Sequence, residues 1–152
     1  MAPQLTADEL AAWRGFLQTH ARLVRELDDE LRTEHGMPLT SYDVLVQLEA
    51  TPNRAMRMSE LADAVLLSRS GLTRLVDRLE RDGLLERRDC PDDARGYLAA
   101  LTDAGAKRLA EARPTHLAGV RRLFLEPLDE PQRRGLAAAW ERIAADGGTN
   151  AD

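Results

Sequence analysis

The chain has 152 residues and a formal net charge of −5, with 43% hydrophobic and 31% charged residues. This suits one ordinary domain, or a small domain with helical extensions, and excludes wholesale disorder. The longest apolar runs are five residues, far short of the roughly 20 that a membrane helix needs. With no secretory signal and a single cysteine, we expect a cytoplasmic protein with no disulfide, cofactor or metal.

The N-terminal segment predicts a long helix over residues 6–34. Thr6 can cap this helix, and Glu9 three residues later completes a capping box. Apolar residues recur along it at helical spacing, and Gly36 followed by Pro38 gives a stop signal. Its apolar stripe has no partner of its own within so small a core.

Three shorter helices follow. Residues 40–41 open the second helix, and residues 51–53 break it. The third spans about residues 59–65, and the fourth spans about residues 69–81 with Ser68 as its cap. This pair joined by a tight turn has the length of a DNA-binding helix-turn-helix.

The hydrophobic period then changes and predicts a β-hairpin. Residues 84–88 and 97–101 are strand-like, and the polar residues 89–96 between them predict a long tip loop. Thr102 caps a further helix, in which Pro114 should cause a kink or a break, and a last helix follows. The order predicts a mainly α protein with a small β-hairpin wing: a winged helix-turn-helix flanked by N- and C-terminal helices.

The fourth helix has one apolar and one polar face. At 100° per residue, Ser70, Thr73, Arg74, Asp77 and Arg81 lie roughly opposite its aliphatic side chains. A short donor-rich face suits the major groove of DNA, where arginine can bind guanine bidentately. The alternative is an ordinary amphipathic helix with solvated charges. In that case the acidic side chains pair with Arg74 and Arg81 as surface ions: Asp77, Glu80 and Asp82.

The hairpin adds a second set of candidates. Arg95 follows the tip loop and can enter a minor groove, and Asp93 can hold its guanidinium by a charge-assisted hydrogen bond. The alternative is a local pair that only stiffens the loop. Arg87 and Arg88 are candidate phosphate contacts. Both lie shortly before Cys90, which we expect to be exposed, either as a redox-sensitive or as an incidental thiol.

Two segments of this region resemble the multiple-antibiotic-resistance regulator (MarR) family. They are R-M-S-E-L-A at residues 57–62 and L-S-R-S-G-L-T-R-L-V-D-R-L-E-R-D-G-L at residues 67–84. The most recognisable element is the pattern D-x-R-x5-L-T-x2-G, which runs from Asp93 to Gly105. The resemblance covers about a third of the chain.

The resemblance implies a homodimeric transcriptional regulator, most simply a repressor, that binds a pseudo-palindromic operator in double-stranded DNA. It implies a winged DNA-binding domain at residues 37–102 and a helical dimerisation region at residues 1–36 and 103–146. Two successive glycines, Gly147 and Gly148, predict a flexible tail at residues 147–152. Arg95 matches the family's minor-groove arginine, and Asp93 matches its ordering partner. The candidate major-groove and phosphate residues are Ser68, Arg69, Ser70, Thr73 and Arg74, with Arg78 as a further candidate.

The resemblance also assigns the terminal helices to the dimer interface, which agrees with their unpartnered apolar stripes. The candidate interface residues are Leu10, Trp13, Leu17, Leu123, Phe124, Leu136, Trp140 and Ile143. Each of them can equally belong to an internal core. Many relatives respond to small, often phenolic or anionic effectors bound between the dimerisation helices and the winged domain, and many others respond to no known ligand. For a small aromatic or anionic effector here, we expect Trp13 and His20 to border the pocket.

Two other classes of function fit the sequence less well. A winged-helix dimer acting through protein contacts alone would not need arginines gathered on one surface. An enzyme is disfavoured, because the sequence has no glycine-rich phosphate loop and no nucleophile–base arrangement. The charge distribution fits DNA binding, since residues 53–96 hold nine arginines and nine acidic residues and the net −5 therefore lies in the flanks. Such a protein should bind a shaped site and lose affinity with salt.

Overall fold

The computed structural model describes residues 4–65 and 67–147, without the side chains of residues 94, 95, 146 and 147. The chain divides into two compact units, Met1–His116 and Leu117–Asp152. Across the described residues, no helix is both long and apolar enough to cross a bilayer. The predicted flexible tail, residues 147–152, lies almost wholly outside the described part of the chain.

Helix α1 spans Ala7–His35, and both of its predicted ends are confirmed. The Glu9 N–H donates to Thr6 Oγ1 at 3.3 Å, and the Thr6 N–H donates to a Glu9 carboxylate oxygen at 2.8 Å. This reciprocal pair is the predicted capping box. At the other end, Gly36 has φ 60°, a left-handed conformation that glycine adopts at no steric cost, and its N–H donates to the Arg32 carbonyl.

Helix α2 spans Leu39–Glu49 and begins one residue earlier than predicted. Neither Thr40 nor Ser41 caps it. Instead, Asp28 of α1 accepts a hydrogen bond from the Leu39 N–H at 2.8 Å. The cap therefore comes from a neighbouring helix, while Ser41 is 2% exposed and lies in the core.

The helix-turn-helix consists of α3, Met58–Ala64, and α4, Arg69–Arg81. Ser68 caps α4 as predicted, because its side chain accepts a hydrogen bond from the Gly71 N–H at 3.1 Å. The aliphatic face of α4 is buried, which confirms the predicted division of its two faces. Its buried residues are Leu72, Leu75, Val76 and Leu79.

The wing is a three-stranded antiparallel sheet in the order β1-β3-β2. Strand β1, Ala55–Arg57, was not predicted, since three residues are too few to show a period. It pairs with the C-terminal half of β3, Asp93–Leu101, while β2, Leu85–Cys90, pairs with β3 on its other side. The sheet thus joins β1, which leads into the helix-turn-helix, to the end of β3, where the chain leaves the wing.

The prediction of a long tip loop over residues 89–96 is wrong. Only Pro91 and Asp92 form the turn, and strand structure resumes at Asp93. Asp89 pairs with Tyr97 and Cys90 pairs with Asp93, so residues 94–96 form a bulge in β3. The polar residues of this segment therefore mark a tight turn and a bulge.

Helix α5 spans Asp103–Val120, and the Thr102 side chain accepts a hydrogen bond from the Gly105 N–H at 3.0 Å, which confirms Thr102 as its cap. The helix passes through Pro114 without the break that the sequence allowed. Leu109 and Ala112 are fully buried, and their packing offsets the one hydrogen bond that proline removes.

In the second unit, a π-helical turn at Arg121–Leu125 precedes helix α6, Glu130–Gly147. The Gln132 N–H donates to Asp129 Oδ1 at 2.8 Å, and Gln132 Oε1 accepts from the Asp129 N–H at 2.9 Å. This reciprocal cap begins the last predicted helix.

The core of the first unit is aliphatic and draws on every helix from α1 to α5. Its fully buried large residues include Leu31, Leu45, Leu48, Leu61, Leu72 and Leu109. The architecture is a winged helix-turn-helix preceded and followed in sequence by helices, which confirms the predicted fold class.

Candidate nucleic-acid interface

Two arginines dominate the outer face of α4. Arg69 and Arg74 are both exposed. Within the part of the chain that the structure describes, no hydrogen bond or ion pair engages either guanidinium. Each keeps its full set of planar donors for an external acceptor such as phosphate or a guanine edge.

Three hydroxyls lie beside these arginines. The Ser68 and Ser70 Oγ atoms are 3.3 Å apart, and Ser68 is already engaged as the helix cap. The Thr73 hydroxyl donates to the Arg69 carbonyl at 2.9 Å. Thr73 therefore presents mainly its methyl group and oxygen lone pairs outward, whereas Ser70 is exposed and can donate or accept.

The acidic side chains of α4 do not pair as the solvated-helix alternative required. Asp77 and Glu80 both bind the Arg87 guanidinium on β2. Among the described residues, the Arg81 guanidinium donates only to the Asp77 carbonyl, at 3.3 Å. The hydrogen bond to Asp77 and the charge of Glu80 together outweigh desolvation and raise the pKa of Arg87. Because Arg87 occupies both carboxylates, Arg74 is left without an acidic partner on its own helix.

The wing approaches the N-terminal end of α4 close to its tip, at the first residue of β3. Asp93 of β3 lines a cleft of about 410 Å³ together with Arg69 and Thr73. Met58 and Ser59 of α3 and the buried Leu72 complete its lining. The sequence did not indicate Met58 and Ser59, since only the folded turn between α3 and α4 brings them to this surface.

The other wing candidates have different surroundings. Arg95 belongs to the bulge of β3, but its side chain lies outside the described residues, so its predicted pairing with Asp93 stays a prediction. Arg88 pairs with Glu86 on its own strand at 2.6 Å, and both side chains are about half exposed. Cys90 is buried, 7% exposed, which contradicts the predicted exposed thiol. The tight turn returns the chain at once and covers Cys90 in the sheet.

Arg78 lies apart from this group. Its guanidinium donates to Ser41 Oγ at 3.4 Å. It lines a second cleft, of about 400 Å³, with the turn at residues 36–38 and Arg108 of α5. The structure therefore does not bring Arg78 to the cleft of Arg69 and Asp93, and its role in DNA contact stays a prediction.

The terminal helices carry exposed apolar residues. On α1, Leu10 is half-buried, whereas Trp13 and Leu17 are 52% and 45% exposed. In the second unit, Trp140 and Ile143 are exposed, and the remaining candidates are half-buried: Leu123, Phe124 and Leu136.

An aromatic row runs along the exposed face of α1. The ring centroids of Trp13 and Phe16 are 6.0 Å apart, and those of Phe16 and His20 are 6.1 Å apart. Phe16, which was not among the predicted residues, thus lies between the two residues predicted to border an effector pocket. Its position three residues after Trp13 on a helix was the available signal.

Comparison with known proteins identifies relatives of the helix-turn-helix and the wing. The model of the MarR family matches residues 35–96, which include the helix-turn-helix and most of the wing. The transcriptional repressor MprA of Escherichia coli is 31% identical over 106 residues. This match covers 70% of the chain but 60% of MprA, so the chain spans less than two thirds of that relative.

Solved structures extend the similarity over nearly the full length. Sco3205 from Streptomyces coelicolor, a MarR family transcriptional regulator determined in complex with DNA, is 37% identical with a TM-score of 0.89. The match covers 99% of this chain and 94% of Sco3205. AbsC from the same organism, also a MarR family transcriptional regulator, is 34% identical with a TM-score of 0.87 and covers 95% and 97% of the two chains.

Proposed function

Since this chain belongs to the MarR family, we propose that it is a homodimeric transcriptional regulator, acting as a repressor, that binds a pseudo-palindromic DNA operator. The observation that carries the proposal is the exposed pair Arg69 and Arg74 on a helix whose opposite face is buried. The DNA complex of Sco3205 and the repressor MprA support it by similarity. The proposed activity is binding without catalysis, and its DNA target places it in the cytoplasm.

In the proposed complex, residues 37–102 bind DNA and α4 enters the major groove. Ser70 and Thr73 then face base edges or phosphates, and Arg69 and Arg74 supply the charged contacts. The wing, through Arg95 and its partner Asp93, reaches the adjacent minor groove. The two half-sites should be about 34–36 Å apart, one helical turn of DNA, because each protomer presents one recognition helix.

Residues 1–36 and 103–146 form the dimerisation region of the proposed assembly. A second copy would cover the exposed apolar residues of α1 and α6, whose exposure in one copy is otherwise costly. Sedimentation of the full chain should give twice the monomer mass. A Trp13→Glu variant should shift the protein toward monomer and weaken operator binding, since two linked half-sites bind far more tightly than one.

Footprinting on the DNA upstream of the protein's own gene tests the function directly. We expect a symmetric protected region whose affinity falls with salt. Arg74→Ala should lose about tenfold to a hundredfold in affinity, as for a lost arginine–guanine contact. Lys107→Ala is the matched control, because it removes one exposed positive charge from α5, outside the helix-turn-helix and wing. The absence of any salt-sensitive footprint would favour action through protein contacts instead.

A small aromatic or anionic effector would act by binding the DNA-competent and DNA-incompetent states with different affinity. The aromatic row of Trp13, Phe16 and His20 supports a site on α1. Benzoate serves as a probe. We expect saturable quenching of tryptophan fluorescence that Trp13→Phe removes, together with weaker operator binding. No quenching and unchanged operator affinity at millimolar benzoate would remove this part of the proposal.

A further inference from the structure

Arg87 connects the wing to the recognition helix through two carboxylates. One guanidinium nitrogen donates to Asp77 and another donates to Glu80. The Arg87 main-chain N–H also donates to Glu80, at 3.3 Å. Asp77 and Glu80 are three residues apart and therefore lie on the same side of α4. The three residues, called the wing clamp below, join β2 to α4 at two points.

The neighbouring Arg88 has a different environment on the same strand. The Arg87 side chain is 26% exposed, whereas that of Arg88 is 47% exposed and pairs only with Glu86 of β2. Successive side chains of a strand point to opposite faces, so only Arg87 is directed to α4. The charge of Arg87 is therefore held between β2 and α4, whereas the charge of Arg88 is paired only within β2.

We propose that Arg87 is a positioning residue for DNA binding, which holds the wing at a fixed distance and angle from α4 through Asp77 and Glu80 and does not itself contact phosphate. This inference rests on the proposed function. It assigns Arg87 a role other than the phosphate contact predicted from the sequence.

The geometry of the wing explains why such a clamp matters. Strand β2 leads directly to the Pro91–Asp92 turn, and β3 then brings Asp93 to the cleft that Arg69 also lines. A planar guanidinium held by two carboxylates resists both sliding and rotation of the strand, which a single ion pair does not. Loss of the clamp would let the wing move relative to α4, so the two DNA contacts would no longer be held in one arrangement.

The test compares Arg87→Gln, Asp77→Asn and Arg88→Gln in the full chain, with binding to the footprinted DNA measured over a range of salt. Asp77→Asn removes a negative charge near the DNA, so electrostatics alone predicts tighter binding. The clamp predicts the opposite sign, a loss of roughly tenfold, of the size seen when a supporting residue beyond the direct contacts is removed. Arg87→Gln should lose a similar factor, and the double variant should lose no more than either single variant.

Arg88→Gln is the matched control, because it removes the same charge one residue away. Hydrogen exchange of the DNA-free protein provides a second measurement. Amides of residues 85–101 should exchange several-fold faster in Arg87→Gln and Asp77→Asn but not in Arg88→Gln. If Arg87→Gln does not fold, Arg87→Lys replaces it, and its single ammonium should protect the wing less than the guanidinium does.

Tighter DNA binding by Asp77→Asn, or wing exchange unchanged by both clamp variants, would overturn the inference. So would a decrease of about 0.9 in the salt slope of Arg87→Gln relative to the unmodified protein, the value expected for one lost phosphate contact. If the unmodified protein binds no DNA, the proposed function fails, whereas the exchange data still decide whether the clamp fixes the wing.

Discussion

Gly105 is the position at which a single added carbon should be most disruptive. It lies in the first turn of α5, where the helix meets the chain that enters the wing. A Cβ added there would be 2.1 Å from the Leu84 carbonyl oxygen and 2.7 Å from a methyl carbon of Leu101. The closer atom belongs to the backbone, so it cannot rotate away as a side chain would.

The cost of Gly105→Ala can be worked out from these contacts. A carbon and a carbonyl oxygen normally approach to about 3.3 Å, so the two segments must separate by more than 1 Å. The Thr102 N–H donates to Leu84 O at 3.2 Å, and its hydroxyl donates to Gly83 O at 2.7 Å. Losing these two bonds costs about 1 kcal/mol each, and overpacking adds about 1–3 kcal/mol.

Alanine's better helix propensity returns about 1 kcal/mol, so the free energy of unfolding should fall by about 2–4 kcal/mol. This corresponds to a decrease of roughly 10 °C in Tm. Urea and thermal unfolding followed by circular dichroism measure it. Gly15→Ala is the control, since its added Cβ would meet no heavy atom within 4 Å beyond the adjacent residues and backbone of its own helix, and it should gain about 0.5–1 kcal/mol. A Gly105→Ala protein as stable as the unmodified one would refute the reasoning.

Three further predictions concern stability. Ser68→Ala should lose about 1 kcal/mol by removing the cap of α4, and an unchanged urea midpoint would argue against that cap. The pKa of Asp28 is raised by desolvation but lowered more by the Arg32 side chain and the Leu39 N–H, giving a net decrease below 3.8. Asp28→Asn should therefore cost about 1 kcal/mol at pH 7, and this difference should shrink as the pH falls below 3.8 through the folded pKa. Burial lowers the pKa of His116, whose Nδ1 has no hydrogen-bond partner among the described residues, below 6.5. The unfolded chain then binds more protons below pH 6.5, so stability should decline from there toward the lowered pKa, and His116→Phe should abolish this decline. Equal pH dependence of Tm in both proteins would contradict it.

The helices could be predicted because their signals are local. Thr6, Ser68 and Thr102 each cap a helix through a hydrogen bond to a residue three positions later. Sequence spacing alone reveals such a contact. The cap of α2 was missed because its contact is not local. Asp28 lies eleven residues before Leu39 and acts from another helix.

The wing was predicted less completely, because its form depends on pairing between distant residues. Strand β1 exists only through its register with β3, in which Ala55 pairs with Ala100. The partners of Asp77 and Glu80 also could not be chosen from the sequence. Several arginines lie within reach along α4, but strand pairing places Arg87 beside both carboxylates.

The pairing of Ala55 with Ala100 has a consequence for how the segment between them can be rearranged. Its two ends lie side by side on adjacent strands, which is the condition under which circular permutation and domain insertion are tolerated. Residues inserted at the exposed Pro91–Asp92 turn would leave every strand of the sheet in place. The projecting tip can therefore change length without moving the two points at which the segment joins the core supplied by α1, α2 and α5.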